Sequence, residues 1–190
     1  MTGPDGKAPT PFARDLVALL PRLRRFGAGL TGSLDAADDL VQAACERALR
    51  APGAFTPGTR MDSWMFRIMQ NIWIDQRRVR TRRGHATSEP DVLAALVGAD
   101  GRRSTEASLT LERVWGAMQA LPEEQHAVLV AVCVEGLGYG EAAEVLEIPL
   151  GTVMSRLFRA RRALGQALGL TAAAVFGEGG VGLPRMNGHL

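Results

Sequence analysis

Cysteine is almost absent from this chain: two occur in 190 residues, beside three tryptophans, one tyrosine and three histidines. Cys45 and Cys133 stand far apart with no second cysteine or histidine at ligand spacing, so no thiolate metal site is encoded and each thiol reads as a small buried hydrophobe. His85, His126 and His189 are scattered and unpaired with carboxylates at such spacing. This removes the usual signs of metal-dependent or nucleophilic catalysis and leaves them as surface or loop residues. Long apolar runs are missing too. Nothing reaches the ~18 residues of a membrane span, and the polar start "MTGPDGKAPTP" has no stretch like the core of a secretory signal. The expectation is a cytoplasmic chain without membrane insertion, where a disulfide is not expected. No segment alternates as a strand does, which excludes a receiver domain of alternating strands and helices. What is present is aliphatic: 46% of residues are hydrophobic and only 5% aromatic, enough for one or two small cores with Met61, Met65 and Met69 as filling.

Charge is plentiful but sorted along the chain. The formal net charge of +2 hides five arginines and no acid between Arg77 and Arg83, then eleven acidic residues from Gly84 to Leu150 against only Arg102, Arg103 and Arg113. From Gly151 to Arg162 only positive charge appears. One such cluster would be an ordinary solvated face. Two acid-free clusters, each at the end of a helical pattern and separated by an acidic stretch, point to two contact surfaces for a polyanion.

Apolar spacing predicts helices throughout. Leu16, Leu20, Leu23, Phe26 and Leu30 form a first stripe, stopped by the glycine of "LTGS". Asp35, Asp38 and Asp39 open a second helix, whose stripe is Leu40, Val41, Ala44, Cys45, Ala48 and Leu49 and whose far end carries Arg47 and Arg50. After "APGAFTPGT" a long third helix runs from about Met61 into the first arginine cluster. At about 100° per residue, Met61, Met65, Ile68, Ile72 and Val79 share its apolar stripe, while Arg67, Asn71, Arg78 and Arg82 share another. Trp64 lies near the polar edge and Trp73 off both stripes. Aromatic and guanidinium planes beside an amide suit unstacked bases and phosphates, although either indole could equally complete the core.

Residues 84–108 lose periodicity and read as a flexible linker, in which "DVLAALV" could form a helical turn or dock. A second domain starts near Leu109. Leu111, Val114, Trp115, Met118 and Leu121 line one helix; Pro122 and Glu123 begin the next, lined by Val128, Val132 and Cys133. A short helix with Ala142, Ala143, Val145 and Leu146 follows, then the turn "EIP", then "GTVMSRLFRARRAL", in which Val153, Leu157, Ala160 and Leu164 are apolar and Arg156, Arg159, Arg161 and Arg162 are not. Short helix, tight turn and longer basic helix is the helix-turn-helix pattern, whose second helix enters the DNA major groove. Thr152, Ser155, Arg156 and Arg159 are its outward candidates.

These stretches resemble, in order, the regions of RNA polymerase sigma factors of the extracytoplasmic-function type. "DAADDLVQAACERAL" resembles region 2.2, "DSWMFRIMQNIWIDQRRVRTRR" regions 2.3 and 2.4, and "LPEEQHAVLVAVCVEGLGYGEAAEVLEIP" with "IPLGTVMSRLFRARRAL" region 4. The resemblance covers about residues 12–83 and 109–168. It implies an all-α chain of two small helical domains, region 2 over 12–83 and region 4 over 109–168, with an N-terminal tail of residues 1–11, a linker of 84–108 and a C-terminal tail of 169–190.

The resemblance further implies an alternative sigma factor in a stress response, controlled by an anti-sigma factor, and not an enzyme: no catalytic residue, metal, cofactor or small-molecule substrate is expected. Asp38, Asp39, Leu40 and Gln42 would meet the beta-prime clamp of core RNA polymerase, with the beta flap as a second polymerase contact. Trp64, Arg67, Asn71, Asp75, Arg78 and Arg82 would recognise and melt the minus-10 element of promoter DNA. Thr152, Ser155, Arg156, Phe158 and Arg159 would read the minus-35 element. Met154 stands where the family commonly has Lys or Arg, Gly138 replaces the usual Ser before the short helix, and Ala44 and Cys45 replace a bulkier pair in region 2.2.

Overall fold

The computed structural model describes residues 10–82 and 113–171. Most of both tails, the whole 84–108 linker, His85, His189 and Leu111 lie outside the described residues. Those described form helices and connecting turns, with no strand among them, and none of these helices is long and apolar enough to cross a membrane.

Three helices build the first half. Helix α1 (Pro11–Thr31) starts where the Thr10 hydroxyl accepts from the Ala13 N–H at 3.2 Å and stops at Gly32, whose φ of 81° suits a residue without Cβ. Ser33 then caps α2 (Leu34–Arg50) by accepting from the Ala36 N–H at 3.4 Å. A single 3₁₀ turn, Pro52–Ala54, leads through Phe55 to α3 (Met61–Arg82). The three helices share a core of Leu16, Leu23, Phe26, Leu30, Leu40, Ala44, Met65, Phe66 and Met69. Phe26 and Phe66 stack with centroids 4.5 Å apart at its centre.

The second half contains α4 (described over 113–119), α5 (Glu123–Leu129), α6 (Tyr139–Leu146) and α7 (Leu150–Leu168). Between α5 and α6 the chain widens into a π-helical segment, Val130–Val134, in which the Glu135 N–H reaches back five residues to the Val130 carbonyl at 3.0 Å. The Gly138 N–H donates to the Glu141 carboxylate at 2.9 Å, which satisfies one exposed donor at the start of α6. Glu147, at φ 52°, ends α6 in the left-handed conformation, and Pro149 starts α7 two residues later. Val153, Leu157 and Ala160 are buried on one side of α7, as their spacing predicts.

The two halves pack directly on one another. Gly29 of α1 is a point of close approach: a Cβ built there would lie 2.7 Å from Cγ1 of Val130. The Gly29 carbonyl is 2.8 Å from Nε2 of His126, whose ring lies between Trp73 of α3 and Trp115 of α4, edge-on to both. Contrary to its reading as a surface or loop residue, His126 is wholly buried. Desolvation, aided by the nearby Arg77 charge, pushes its pKa down to about 4, and the Gly29 bond only partly opposes this. Cys133, read as a buried hydrophobe, is instead exposed, while Cys45 is half-buried and its thiol pKa is raised by that burial.

The buried side of α3 is likewise corrected. Met65, Phe66, Met69, Gln70 and Trp73 point inward, and Val79 is 43% exposed. This stripe is rotated by about 100° from the one that runs through Met61, Ile68 and Val79. The reason is tertiary. Helix α3 faces α1 and α2 on one flank and α6 on another, so its inward direction is set by two neighbours at once.

Candidate nucleic-acid interface

The outward side of α3 carries Asn71, Asp75, Arg78 and Arg82, all exposed and spaced so that they share one face over three turns. Trp64 is half-buried against Phe12 and Phe55, with ring centroids 6.1 and 5.4 Å away, so its indole supports the start of the helix rather than standing free. Trp73 is core. Arg67 lies on the flank toward α6: it donates to the Glu144 carbonyl at 2.8 Å and pairs with Glu147 at 3.3 Å. Arg77, which periodicity did not single out, pairs with Glu123 at 3.5 Å and lies 5.1 Å over the Trp73 ring.

Helix α7 is more open. Ser155, Phe158, Arg159 and Arg162 are on the side opposite Val153, Leu157 and Ala160, and Phe158 and Arg159 are exposed. Thr152 is half-buried beside them, its carbonyl accepting from the Ser155 hydroxyl at 3.1 Å. Arg156, grouped with these residues by sequence, instead lies on the flank and pairs with Glu124 at 2.5 Å. Arg162 belongs to the outward face by the same spacing of three and four that selects Ser155, Phe158 and Arg159, and that spacing was the signal available for it.

A third surface lies on α1 and α2. A shallow cleft of about 690 Å³ is lined by Leu20, Pro21, Arg24, Asp38, Val41, Gln42 and Cys45. Arg24 makes two parallel bonds to Asp38, at 2.6 and 2.7 Å, which hold the Asp38 carboxyl below the usual carboxylate range. Asp39 and Gln42 are exposed near it. Leu40, expected at the same surface, is a correction: it shares the inward stripe of Ala37, Val41 and Ala44 and is wholly buried, so no atom of it is available to a partner. Among the described residues no group of three His, Cys, Asp or Glu could hold a metal ion.

The arrangement therefore consists of two cationic helix faces and a polar cleft. Comparison with known proteins places the chain in a family. The Sigma-70, region 4 family matches residues 111–164, and the Sigma2 domain of PhyR matches residues 16–70. The ECF RNA polymerase sigma factor EcfG of Rhodopseudomonas palustris is 34% identical over 163 residues, 86% of this chain and 88% of that protein. The chain belongs to the extracytoplasmic-function RNA polymerase sigma factors. SigM of Mycobacterium tuberculosis, another such factor, is 32% identical over 78% of this chain and 72% of its own length. Among solved structures, the sigma factor RpoE of Bartonella quintana, in complex with the anti-sigma factor NepR, is similar with a TM-score of 0.69 and 27% identity, covering 83% of this chain and 96% of that one. In the terms of this sigma-factor family, α1 to α3 form the region 2 domain and α4 to α7 the region 4 domain.

Proposed function

We propose that this chain binds core RNA polymerase and directs it to promoters with separate minus-35 and minus-10 contacts. The observation that carries the reading is α7: a helix delivered by a three-residue turn from α6, buried on Val153, Leu157 and Ala160, and presenting Ser155, Phe158, Arg159 and Arg162 outward. Guanidinium groups grip guanine edges or phosphates, a hydroxyl bonds to base or backbone, and a phenyl ring packs on a thymine methyl, so this face suits a major groove. The exposed Asn71, Asp75, Arg78 and Arg82 of α3 take the minus-10 strand. Asp39, Gln42 and the Arg24–Asp38 pair around the α1/α2 cleft meet the polymerase clamp. The beta flap, an anti-sigma factor and a role in a stress response complete the reading, by likeness to EcfG and to the RpoE that is bound by NepR.

Run-off transcription with bacterial core polymerase on a genomic promoter library tests it. Discrete new start sites sharing two spaced upstream motifs are expected, and Asn71→Ala should lower permanganate reactivity of the opened strand while leaving closed-complex binding within about twofold. Absence of stimulation by folded protein overturns the reading.

A further inference from the structure

Between α4, α5 and α7 lies an apolar cleft of about 340 Å³. Met118 of α4, Leu129 of α5, Val134 beyond it, and Leu164 and Leu168 of α7 form its walls. It lies away from the outward face of α7, because Leu164 continues the packed stripe of Val153, Leu157 and Ala160. One polar pair lines it: Arg161 Nη2 is 3.7 Å from the sulfur of Cys133. Among the described residues no carboxylate meets Arg161, and Cys133 is exposed. The chain that follows α7 is turned toward this cleft. Gly169, at φ 66°, ends the helix in the left-handed conformation, and the Leu170 N–H donates back to the Gly165 carbonyl at 2.8 Å. Leu170 therefore lines the cleft, yet it stays 50% exposed and fills the space only in part.

We propose that the segment following Thr171 folds back over this cleft within the same chain, seating Val175 and Phe176 on its apolar walls and Glu178 on Arg161. Three observations choose this occupant. The first is reach: Phe176 is six residues beyond Leu170, and an extended chain covers about 3.4 Å per residue, so roughly 20 Å is available from a residue that already lines the cleft. The second is composition. No charged residue lies between Arg162 and Glu178, and Val175 and Phe176 are the large apolar side chains of that stretch after Leu170, which burial against Leu164 and Leu168 would remove from water. The third is charge. Glu178 is the first acid after Glu147 and stands two residues past Phe176, where it can give Arg161 the charge-assisted bond that the Cys133 sulfur does not supply. A second copy of the chain, or a separate apolar helix, would have to compete with a segment tethered beside the cleft, and a short tether gives an effective concentration in the millimolar range.

The test is the rate at which iodoacetamide alkylates Cys133 in the full chain, followed by mass spectrometry of the modified peptides so that Cys45 on α2 serves as an internal reference. The double variant Val175→Ser, Phe176→Ser keeps every charge and should raise the Cys133 rate about fivefold, the protection lost when a segment docked about 80% of the time is released. The Cys45 rate and the circular dichroism spectrum should stay as in the parent. Ending the chain after Thr171 should raise the Cys133 rate at least as much. As a second route, Gly177→Cys puts a thiol next to the two apolar residues and should form a disulfide with Cys133 under mild oxidation, in a yield that falls severalfold when the two serine substitutions are added. Equal Cys133 rates in parent and double variant, or an equal disulfide yield, overturn the proposal. So does protection of Cys133 that rises with protein concentration between about 1 and 100 μM, which marks a second copy as the occupant.

Discussion

Helices α3 and α7 are the two arginine-rich helices, and they differ in what surrounds them. Arg67 and Arg77, on the flank of α3 toward the other half, are met by Glu147 and Glu123, whereas Arg78 and Arg82 of α3 and Arg159 and Arg162 of α7 point to solvent, and among the described residues of α7 Arg156 pairs with a carboxylate, Glu124 from α5 beside it. A cationic face that the fold has already neutralised contributes to nucleic-acid binding only after its acids leave, because each guanidinium exchanges one set of acceptors for another. One that faces water is ready at once. The same residue type therefore has two meanings in this chain, and the joint between the halves decides which applies.

The largest effect should come from the joint itself. Unfolded, His126 takes up a proton as pH falls through about 6.5, whereas in the folded chain it does so only near 4. The folded state binds fewer protons in that window, so its stability is complete above about pH 6.5 and falls as pH drops toward 4, by about 3 kcal/mol in all. Urea unfolding at pH 7, 6 and 5 should show this slope, and His126→Gln, which can still donate to the Gly29 carbonyl but does not titrate, should flatten it. If the slope persists in that variant, another group carries it.

Next in size is the open face. Arg159→Ala should lower minus-35-dependent transcription by roughly 10- to 100-fold, the usual worth of a well-placed base or phosphate contact, with no change in melting temperature because the side chain is exposed on the side of α7 away from the core. Equal output from parent and variant would remove α7 from promoter reading. The smallest effect returns to the joint. Gly29→Ala should gain about 1 kcal/mol in helix propensity but place a methyl against the stiff, fully buried Val130, for a net loss of about 1 kcal/mol in thermal unfolding. Gly53→Ala, with open space around it, is the comparison in which no such clash arises.

Much of this architecture is legible in the sequence wherever a helix has one dominant neighbour. Leu16, Leu23, Phe26 and Leu30 of the α1 stripe and Val153, Leu157 and Ala160 of the α7 stripe are buried as their spacing predicts, while Leu20 and Leu164 of the same stripes are half-buried, and Gly32 ends α1 where "LTGS" places a stop. Legibility fails where a helix has two neighbours or where a residue meets the other half. The inward side of α3 could not be found from its own periodicity, since α6 covers part of it. His126 gives no local sign of burial: its surroundings are a carbonyl from α1 and rings from α3 and α4, 97 residues away in the case of Gly29. Leu40 shows the converse error. A motif resemblance placed it at a partner surface, while its i, i+3, i+4 relation to Ala37, Val41 and Ala44 already marked it as core. The outward residues Asn71, Arg78, Ser155 and Arg159 were reachable because exposure on a helix is what remains once the packed side is known.

The widened turn at Val130–Val134 has a consequence for chain length. A π-helical turn holds one residue more than the α-helical path it replaces, so it acts as a one-residue insertion at the end of α5. Glu135, just after it, is turned by about 100° relative to a plain α-helix, which brings its carboxylate round to Arg22 and Arg25, while Val130, where the widening begins, meets Gly29. Deleting one residue between Val132 and Val134 would restore a plain helix and swing that carboxylate away from α1. In a homologue one residue shorter here, the two regions lose their buried ion pair through an indel rather than through any substitution, and comparing residue identities alone would not reveal the change.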